Sequence, residues 1–556
     1  MELSTEVFPQ SMRLLEDSQI PLIINYYPFE VDKNYPSIPV SQLNQCPKCN
    51  CPVSEIFGYN TEGLVCPFCQ SIFTMPANEQ NKLICYQTER YVYDYSLCMI
   101  FLLDLNCSPQ YMCVLKSLLV IALNSLPKEA SFMIGLLYNN YVSFIRISDS
   151  QAFFIDLPIT SNLFSLMNYK YLLNESSNIP IIISLLEKEA VSCENYSSEP
   201  VSIDLMKFFI PDSKNIFLKF FVFSPNYLVS KYPSRLSFDW VSPNPKNPNT
   251  IIDGLYVCYS NIDDIELQIQ TMINTIVSET VSFKTQIYNY ISPQFEISPK
   301  TCVIHCVRPY SSFSFNISFL WSRGPVSDVS ICFVSKSIVR TLGLFSERTL
   351  VMSRKIPVTK DLFPLWRSVN PSVLFSGFKS QNTQKDFVQR LIINYNNRIK
   401  LALAGEPNND SVFTLFPSLS WFIRFILNDN IKNLGDRIIE KEMCLVKFYP
   451  AISLWLSPDE KSGEFIPSMP FYHNKYNDFF EPIIVIDNGS SIHIFCDIEI
   501  GTSSRIASEL STRQRKRFPV PSILRHQRIG YQNYYPFSVN WSSQIKKRID
   551  SILKSQ

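Results

Sequence analysis

The sequence predicts a multidomain α+β protein, and three patterns point to that class. Two Cys-x-x-Cys turns, Cys46-Pro-Lys-Cys49 and Cys66-Pro-Phe-Cys69, have the separation of one small metal-bound ribbon. Residues 90–290 alternate apolar strands with helical periodicity, the pattern of a sheet covered by helices. Residues 295–358 carry short alternating apolar segments, which read as antiparallel strands of a β-sandwich. With 556 residues, the chain has room for about three to five domains.

The cysteine turns organise the N-terminal region. Four thiolates at this spacing suit a tetrahedral Zn²⁺, with Cys46, Cys49, Cys66 and Cys69 as ligands. Pro47 and Pro67 pre-set φ for each turn. Between the pairs, residues 54–59 and 63–65 read as two short strands around an Asn60–Gly63 turn, so residues 41–80 form a zinc ribbon. So small a segment buries no core, and the metal supplies much of its folding free energy. A thioredoxin-like motif needs a single Cys-x-x-Cys opening a helix, whereas both turns here lie in turn-rich sequence. A catalytic zinc keeps one position open for water, and four cysteines leave none. Cys51 lies just outside the first turn, at a spacing that does not suit the same knuckle.

Composition narrows the rest. The chain is 46% hydrophobic and 18% charged, as soluble globular proteins are. Its 50 basic and 49 acidic residues give a net charge of +1, so any basic function must be local. With 13 glycines and no Gly-rich phosphate loop, nucleotide hydrolysis by this chain is not expected. The twelve cysteines outside the turns are scattered, often in apolar runs such as residues 97–103, where they act as small hydrophobes. The first residues lack the basic start and apolar run of a signal peptide. Apolar runs stay below about ten residues, short of the ~20 that span a bilayer. His305, His473, His493 and His526 form no zinc-hydrolase pattern, and no Gly-x-Ser-x-Gly elbow is present.

In chain order, residues 7–29 read as a helical turn and a strand, Leu22–Tyr27, stopped by Pro28. A lone strand ahead of a small metal module is expected to pair with a later sheet, which assigns residues 1–40 to the sandwich. In the trunk, strands are expected at 98–103, 131–138, 142–147, 216–223 and 252–258, with helices at 111–126 and 263–281. Asp104-Leu-Asn106-Cys-Ser108 ends the first of these strands. It is similar to the Asp-x-Ser-x-Ser loop that coordinates Mg²⁺ in von Willebrand A-type domains. The other reading is a strand end capped by its own Asp and Ser. Sandwich strands are expected at 301–307, 313–321, 329–334 and 349–352. Helical patterns dominate 359–446, including 387–403 and 418–427. Residues 447–535 return to mixed strand and helix, with strands at 452–456, 483–486 and 492–495 and a basic helix at 504–517. A last amphipathic helix, 542–553, places Ile545, Ile549 and Ile552 on one face.

That order of parts resembles the two paralogous inner-layer subunits of the COPII vesicle coat, over almost the whole chain. Ser11, Leu14-Leu15, Ser18, Ile20-Pro21-Leu22 and Pro28-Phe29 look like the stretch preceding the ribbon of the cargo-adaptor subunit. The Cys46–Cys49 gap and Pro76 also match that subunit. So do Ser346-Glu-Arg-Thr349 with Ile356-Pro-Val-Thr359, and Phe448-Tyr-Pro450 with Ile466-Pro467 and residues 483–489. Leu64 replaces the usual Trp, Phe73 the usual Asn, and the paired glycines near Tyr227–Tyr232 are absent. One stretch favours the GTPase-activating sister. Arg517-Phe-Pro-Val-Pro521 is similar to the segment before that subunit's catalytic arginine, which places Arg528 at the finger position.

The resemblance implies a zinc ribbon, a von Willebrand A-like α/β trunk, a β-sandwich, a helical domain and a gelsolin-like module. The C-terminal residues 536–556 would return to the helical domain. It further implies a non-enzymatic coat adaptor that selects cargo for endoplasmic-reticulum-to-Golgi transport, cytoplasmic and peripheral on the endoplasmic reticulum membrane. Expected partners are the sister subunit, a GTP-bound small coat GTPase, cytosolic cargo tails and an acidic membrane surface. The alternative is the sister subunit itself, with Arg528 as its finger. A more distant one is a ribbon-bearing nucleic-acid binder, against which the near-neutral charge speaks. Arg513, Arg515, Lys516 and Arg517 form the densest basic run, read as a helix C-terminus that complements the dipole or as contacts for anionic headgroups.

Overall fold

The computed structural model describes residues 1–29, 35–75, 83–138, 140–159, 169–188, 215–225, 236–242, 256–258, 265–278, 281–304, 306–308, 311, 313–320, 328–341, 343–370, 373–374, 390–391, 393, 451–465, 483–487, 491–515, 520 and 522–527. The helices expected at 387–403, 418–427 and 542–553 lie outside these residues, apart from 390–391 and 393.

In the trunk, the run from Ser96 to Asp104 is apolar on both faces, as a strand inside a parallel sheet must be. It pairs in parallel with Ser131–Leu137 on one side and Ile216–Phe223 on the other. The sheet continues in parallel through Leu236–Ser242 to Tyr256–Cys258. On the other side it turns antiparallel through Tyr141–Ser148 and Gln151–Pro158. The helices Pro109–Asn124, Ile179–Lys188 and Ile265–Ser278 pack on one face against Phe101, Leu103, Phe132 and Phe221. The alternate residues, Ile100, Leu102, Leu218 and Phe220, join Trp240 and Leu172 on the other. The helix expected to reach Val281 is described over Ile265–Ser278 and does not include Val281, which opens a strand of the next layer.

That strand, Val281–Ile291, lies in all but its last residue within the 90–290 span expected for the trunk, yet it hydrogen-bonds into the sandwich, antiparallel to Asp328–Thr341. Asp328–Thr341 in turn pairs with Leu344–Thr359, to which Cys85–Val92 adds on the far edge. The facing sheet runs Glu2–Leu3, Leu22–Tyr26, Phe313–Phe319, Phe295–Ser298. The N-terminal strand therefore does pair with a sheet almost three hundred residues on, Ile24 lying opposite Phe315. The core between the sheets holds Leu22, Ile24, Tyr26, Ile317, Ile331, Phe333 and Met352.

Two expected short strands, 329–334 and 349–352, are parts of one long hairpin. Apolar content breaks off at Ser335-Lys336-Ser337, but the sheet does not. Ser335 and Ser337 are buried with partners, Tyr26 Oη at 2.9 Å and Thr285 Oγ1 at 3.0 Å, so their polarity is satisfied inside the sandwich.

The residues that alternate with this core face the opposite way. Cys332, Val334, Val351 and Tyr86 form the floor on which the cysteine module sits, with Val53, Ile56, Phe57 and Leu64 above them. The C-terminal module is a five-stranded sheet in the order Glu460–Phe465, Ala451–Ser457, Ile483–Asp487, Ser491–Phe495, Ser522–His526. The helix Arg505–Arg515 covers it through Ile506 and Leu510.

Candidate metal centre

Each cysteine turn is built by backbone hydrogen bonds that aim two sulfurs at one point. In the first, the Cys46 N–H donates to the Cys51 carbonyl at 2.9 Å, and the Asn50 N–H donates to the Cys46 carbonyl at 2.9 Å. In the second, the Cys66 N–H donates to the Ser71 carbonyl at 3.0 Å, and the Gln70 N–H to the Cys66 carbonyl at 2.9 Å. Asn50 and Gln70 both take φ of +59°, the left-handed turn that lets the chain double back. The strands between differ slightly from expectation. Residues 54–57 form a turn, the Phe57 N–H donating to the Ser54 carbonyl at 3.1 Å, so pairing begins at Gly58. A third strand, Ile72–Phe73, closes the sheet against Gly63–Val65.

The turns bring Cys46, Cys49, Cys66 and Cys69 together, each offering a sulfur within 4.8 Å of the others. Cys46 and Cys69 sulfurs are 3.5 Å apart, and those of Cys49 and Cys66 are 3.6 Å apart. A tetrahedral Zn²⁺ with Zn–S bonds of about 2.3 Å places its sulfurs about 3.8 Å from one another, so the set fits that ion. Among the described residues this is the one group of three or more His, Cys, Asp or Glu placed to hold a metal.

The thiols differ in acidity. Burial opposes ionisation of Cys46, but hydrogen bonds from Ser71, from the Cys49 and Lys48 N–H groups and from Cys69 outweigh it and bring the thiol down to about 6. Burial pushes the Cys49 thiol up to about 12, against the lowering by the Cys51 N–H and the Cys66 thiol. Burial also pushes Cys66 up, and Cys51 well up, the latter beside Cys332 of the sandwich.

Among the described residues, the others singled out by sequence are not assembled into a metal site. Asp104 does end its strand, with both carboxylate oxygens engaged. Oδ1 accepts from the Asn106 N–H at 2.9 Å and the Asn106 side chain at 3.1 Å, and Oδ2 from Ser224 Oγ at 2.5 Å. The capping serine is thus Ser224, from the neighbouring strand's end; Ser108 makes no side-chain cap. Of the four histidines, His305 and His473 lie outside the described residues. His493 and His526, which sequence left unrelated, meet across parallel strands with ring nitrogens 2.9 Å apart. Arg513 pairs with Glu509 at 2.7 Å on its own helix, and Lys461 joins the same carboxylate at 3.0 Å. Lys516, Arg517 and Arg528 lie outside the described residues.

The arrangement defines a class: a multi-layered, strand-dominated α/β fold carrying a four-cysteine module on the outer face of a β-sandwich. No protein-family model and no curated protein matches the sequence. Among solved structures, the chain is similar in fold to the human COPII-coat protein Sec24c, with a TM-score of 0.63. That likeness covers 99% of this chain and 94% of the other at 12% identity. A von Willebrand factor type A protein from Catenulispora acidiphila aligns over 60% of this chain and 85% of its own at 9% identity, with a TM-score of 0.30, too low to carry weight. No helix among the described residues is long and apolar enough to cross a membrane.

Proposed function

We propose that this chain is a cargo-adaptor-type subunit of the inner COPII coat layer. It would pair with the sister coat subunit and be recruited to the endoplasmic reticulum by a GTP-bound small GTPase. The observation that carries the reading is the fold likeness to the COPII-coat protein Sec24c, which runs nearly end to end in both chains. The sequence matches around Ser11–Phe29, Ser346–Thr359 and Ile483–Gly489 support it independently.

In this reading Cys46, Cys49, Cys66 and Cys69 hold one Zn²⁺ ion. Four thiolates leave no position for water or substrate, so the metal's part is architectural. It stiffens a module whose own apolar residues pack on the sandwich through Cys332, Val334 and Val351. Cargo tails, often acidic, would be held by Arg or Lys through charge-assisted hydrogen bonds.

Two measurements test the proposal. Purified protein should float with acidic liposomes only when the sister subunit and the GTP-loaded GTPase are both present. Failure to float, or failure of any coat subunit to co-purify from cells, overturns it. A second reading, the GTPase-activating sister, rests on Arg517–Pro521. It requires strong acceleration of GTP hydrolysis that disappears in Arg528→Ala. The nucleic-acid reading requires binding that collapses with salt.

A further inference from the structure

The two cysteine turns are copies of one another in backbone hydrogen bonding and in the left-handed residue that follows each pair. Cys51 and Ser71 therefore occupy equivalent positions, five residues after the first cysteine of each turn. Their side chains diverge. Cys51 is fully buried toward the sandwich, and its thiol points to the Pro52 carbonyl at 3.6 Å. Ser71 Oγ instead lies 3.0 Å from Cys69 Sγ and 3.2 Å from Cys46 Sγ. One hydroxyl thus touches a ligand from each turn. The Ser71 carbonyl also accepts the Cys66 N–H, so this residue contacts three of the four cysteines.

Four thiolates around a divalent ion leave about two negative charges on the cluster, spread over the sulfurs. An O–H donor to such a sulfur makes a charge-assisted hydrogen bond and draws electron density from it. Partners in this position orient metal ligands and tune their donor strength. With both sulfurs ionised, the single Ser71 hydroxyl proton is shared between them as a three-centre bond, and a donor shared between the turns resists their separation, which backbone bonds inside each turn cannot do.

We propose that Ser71 is a positioning residue of the metal centre. Its hydroxyl links the two cysteine pairs through Cys46 and Cys69, holds their spacing, and sets how strongly both thiolates donate to the ion. The inference rests on the four cysteines binding zinc, as proposed above. It is particular to the second turn, since the equivalent Cys51 faces away from the site.

The test uses the full-length chain with Ser71→Ala, the matched pair Ser71→Thr and Ser71→Val, and Cys51→Ala. Zinc content is measured directly, affinity by chelator competition at neutral pH, and thiolate donation by the charge-transfer band of the Co²⁺-substituted protein. Ser71→Ala and Ser71→Val are expected to lose about tenfold in affinity and to shift the band to lower energy. Ser71→Thr, which keeps a hydroxyl, and Cys51→Ala should match the parent in both. Equal affinity and an unmoved band in Ser71→Ala and Ser71→Val would overturn the role of Ser71, and so would Cys51→Ala reproducing their losses. If Ser71→Ala fails to fold, the Thr and Val variants, alike in shape, still isolate the hydroxyl. A parent protein without zinc would sink the metal reading instead, which keeps the two failures apart.

Discussion

Asp239 shows what one residue does in the trunk core. It is fully buried between two cations, Lys219 Nζ at 2.7 Å and Arg308 Nη2 at 2.5 Å. Lys219 rises from a central strand, and Arg308 follows Val307, which bridges to Ser282 of the sandwich strand Val281–Ile291, so the carboxylate ties both layers. Burying charge is costly unless every member is paired, and removing the shared anion leaves two cations in a dry site. Asp239→Asn is expected to cost about 3–5 kcal/mol, read as a lower urea midpoint for the trunk transition. Lys219→Met should cost less, because Asp239 retains Arg308. Equal losses would show that the carboxylate is not the hub. Nothing in the periodicity of 216–223 or 236–242 signals this triad, since its members come from three separate segments.

At the scale of elements, one buried side chain links the trunk to the C-terminal module. Gln268, buried on the helix Ile265–Ser278, donates to the Val520 carbonyl at 2.8 Å and accepts from the Val520 N–H at 2.8 Å. The amide thus pairs with one backbone residue as a neighbouring strand would. Gln268→Ala leaves both buried backbone groups unpaired, each a loss of about 1–3 kcal/mol. Amide hydrogen exchange around Val520 and along Arg505–Arg515 should speed up while the trunk sheet stays protected. Unchanged protection there would show that other contacts carry the joint.

The elements also show where sequence reading succeeded and where it stopped. Ile216–Phe223 was legible to the residue because only Lys219 interrupts an otherwise apolar run. Gln151–Pro158, Leu236–Ser242 and Ser522–His526 were missed. The first is an exposed edge strand, and the second carries the buried Asp239. The third holds Arg525 and His526 among its few apolar residues. Polar residues satisfied by distant partners look like loop until the partners are known.

For the whole molecule, the cysteine module is where solution conditions act. In the metal-free site burial holds the Cys49 and Cys66 thiols above their ordinary range, so both are protonated at neutral pH. A metal bound there as proposed would have to expel those protons, and acidification would drive the equilibrium toward its release. With at least two protons leaving per ion, zinc affinity should fall on the order of a hundredfold for each unit of lowered pH. A zinc-sensitive dye checks this, and an affinity flat between neutral and mildly acid pH would contradict it. Chelation should loosen the ribbon, seen as faster exchange at Gly58–Val65, while the sandwich, with its own core, remains folded.

The order of residues alone determined which four cysteines gather, because a Cys-x-x-Cys turn is a local object whose geometry follows from four consecutive positions. It also determined the central trunk strand Ser96–Asp104, whose solvent exclusion is written in an unbroken apolar run. Only the tertiary structure decided which strands close the sandwich and that Ser224, not Ser108, serves Asp104. It alone placed Ser71 between the two cysteine pairs, and Gln268 against Val520. Those contacts join residues tens to hundreds of positions apart, and hydrogen bonds and ion pairs between such partners leave no period in the chain for a sequence to display.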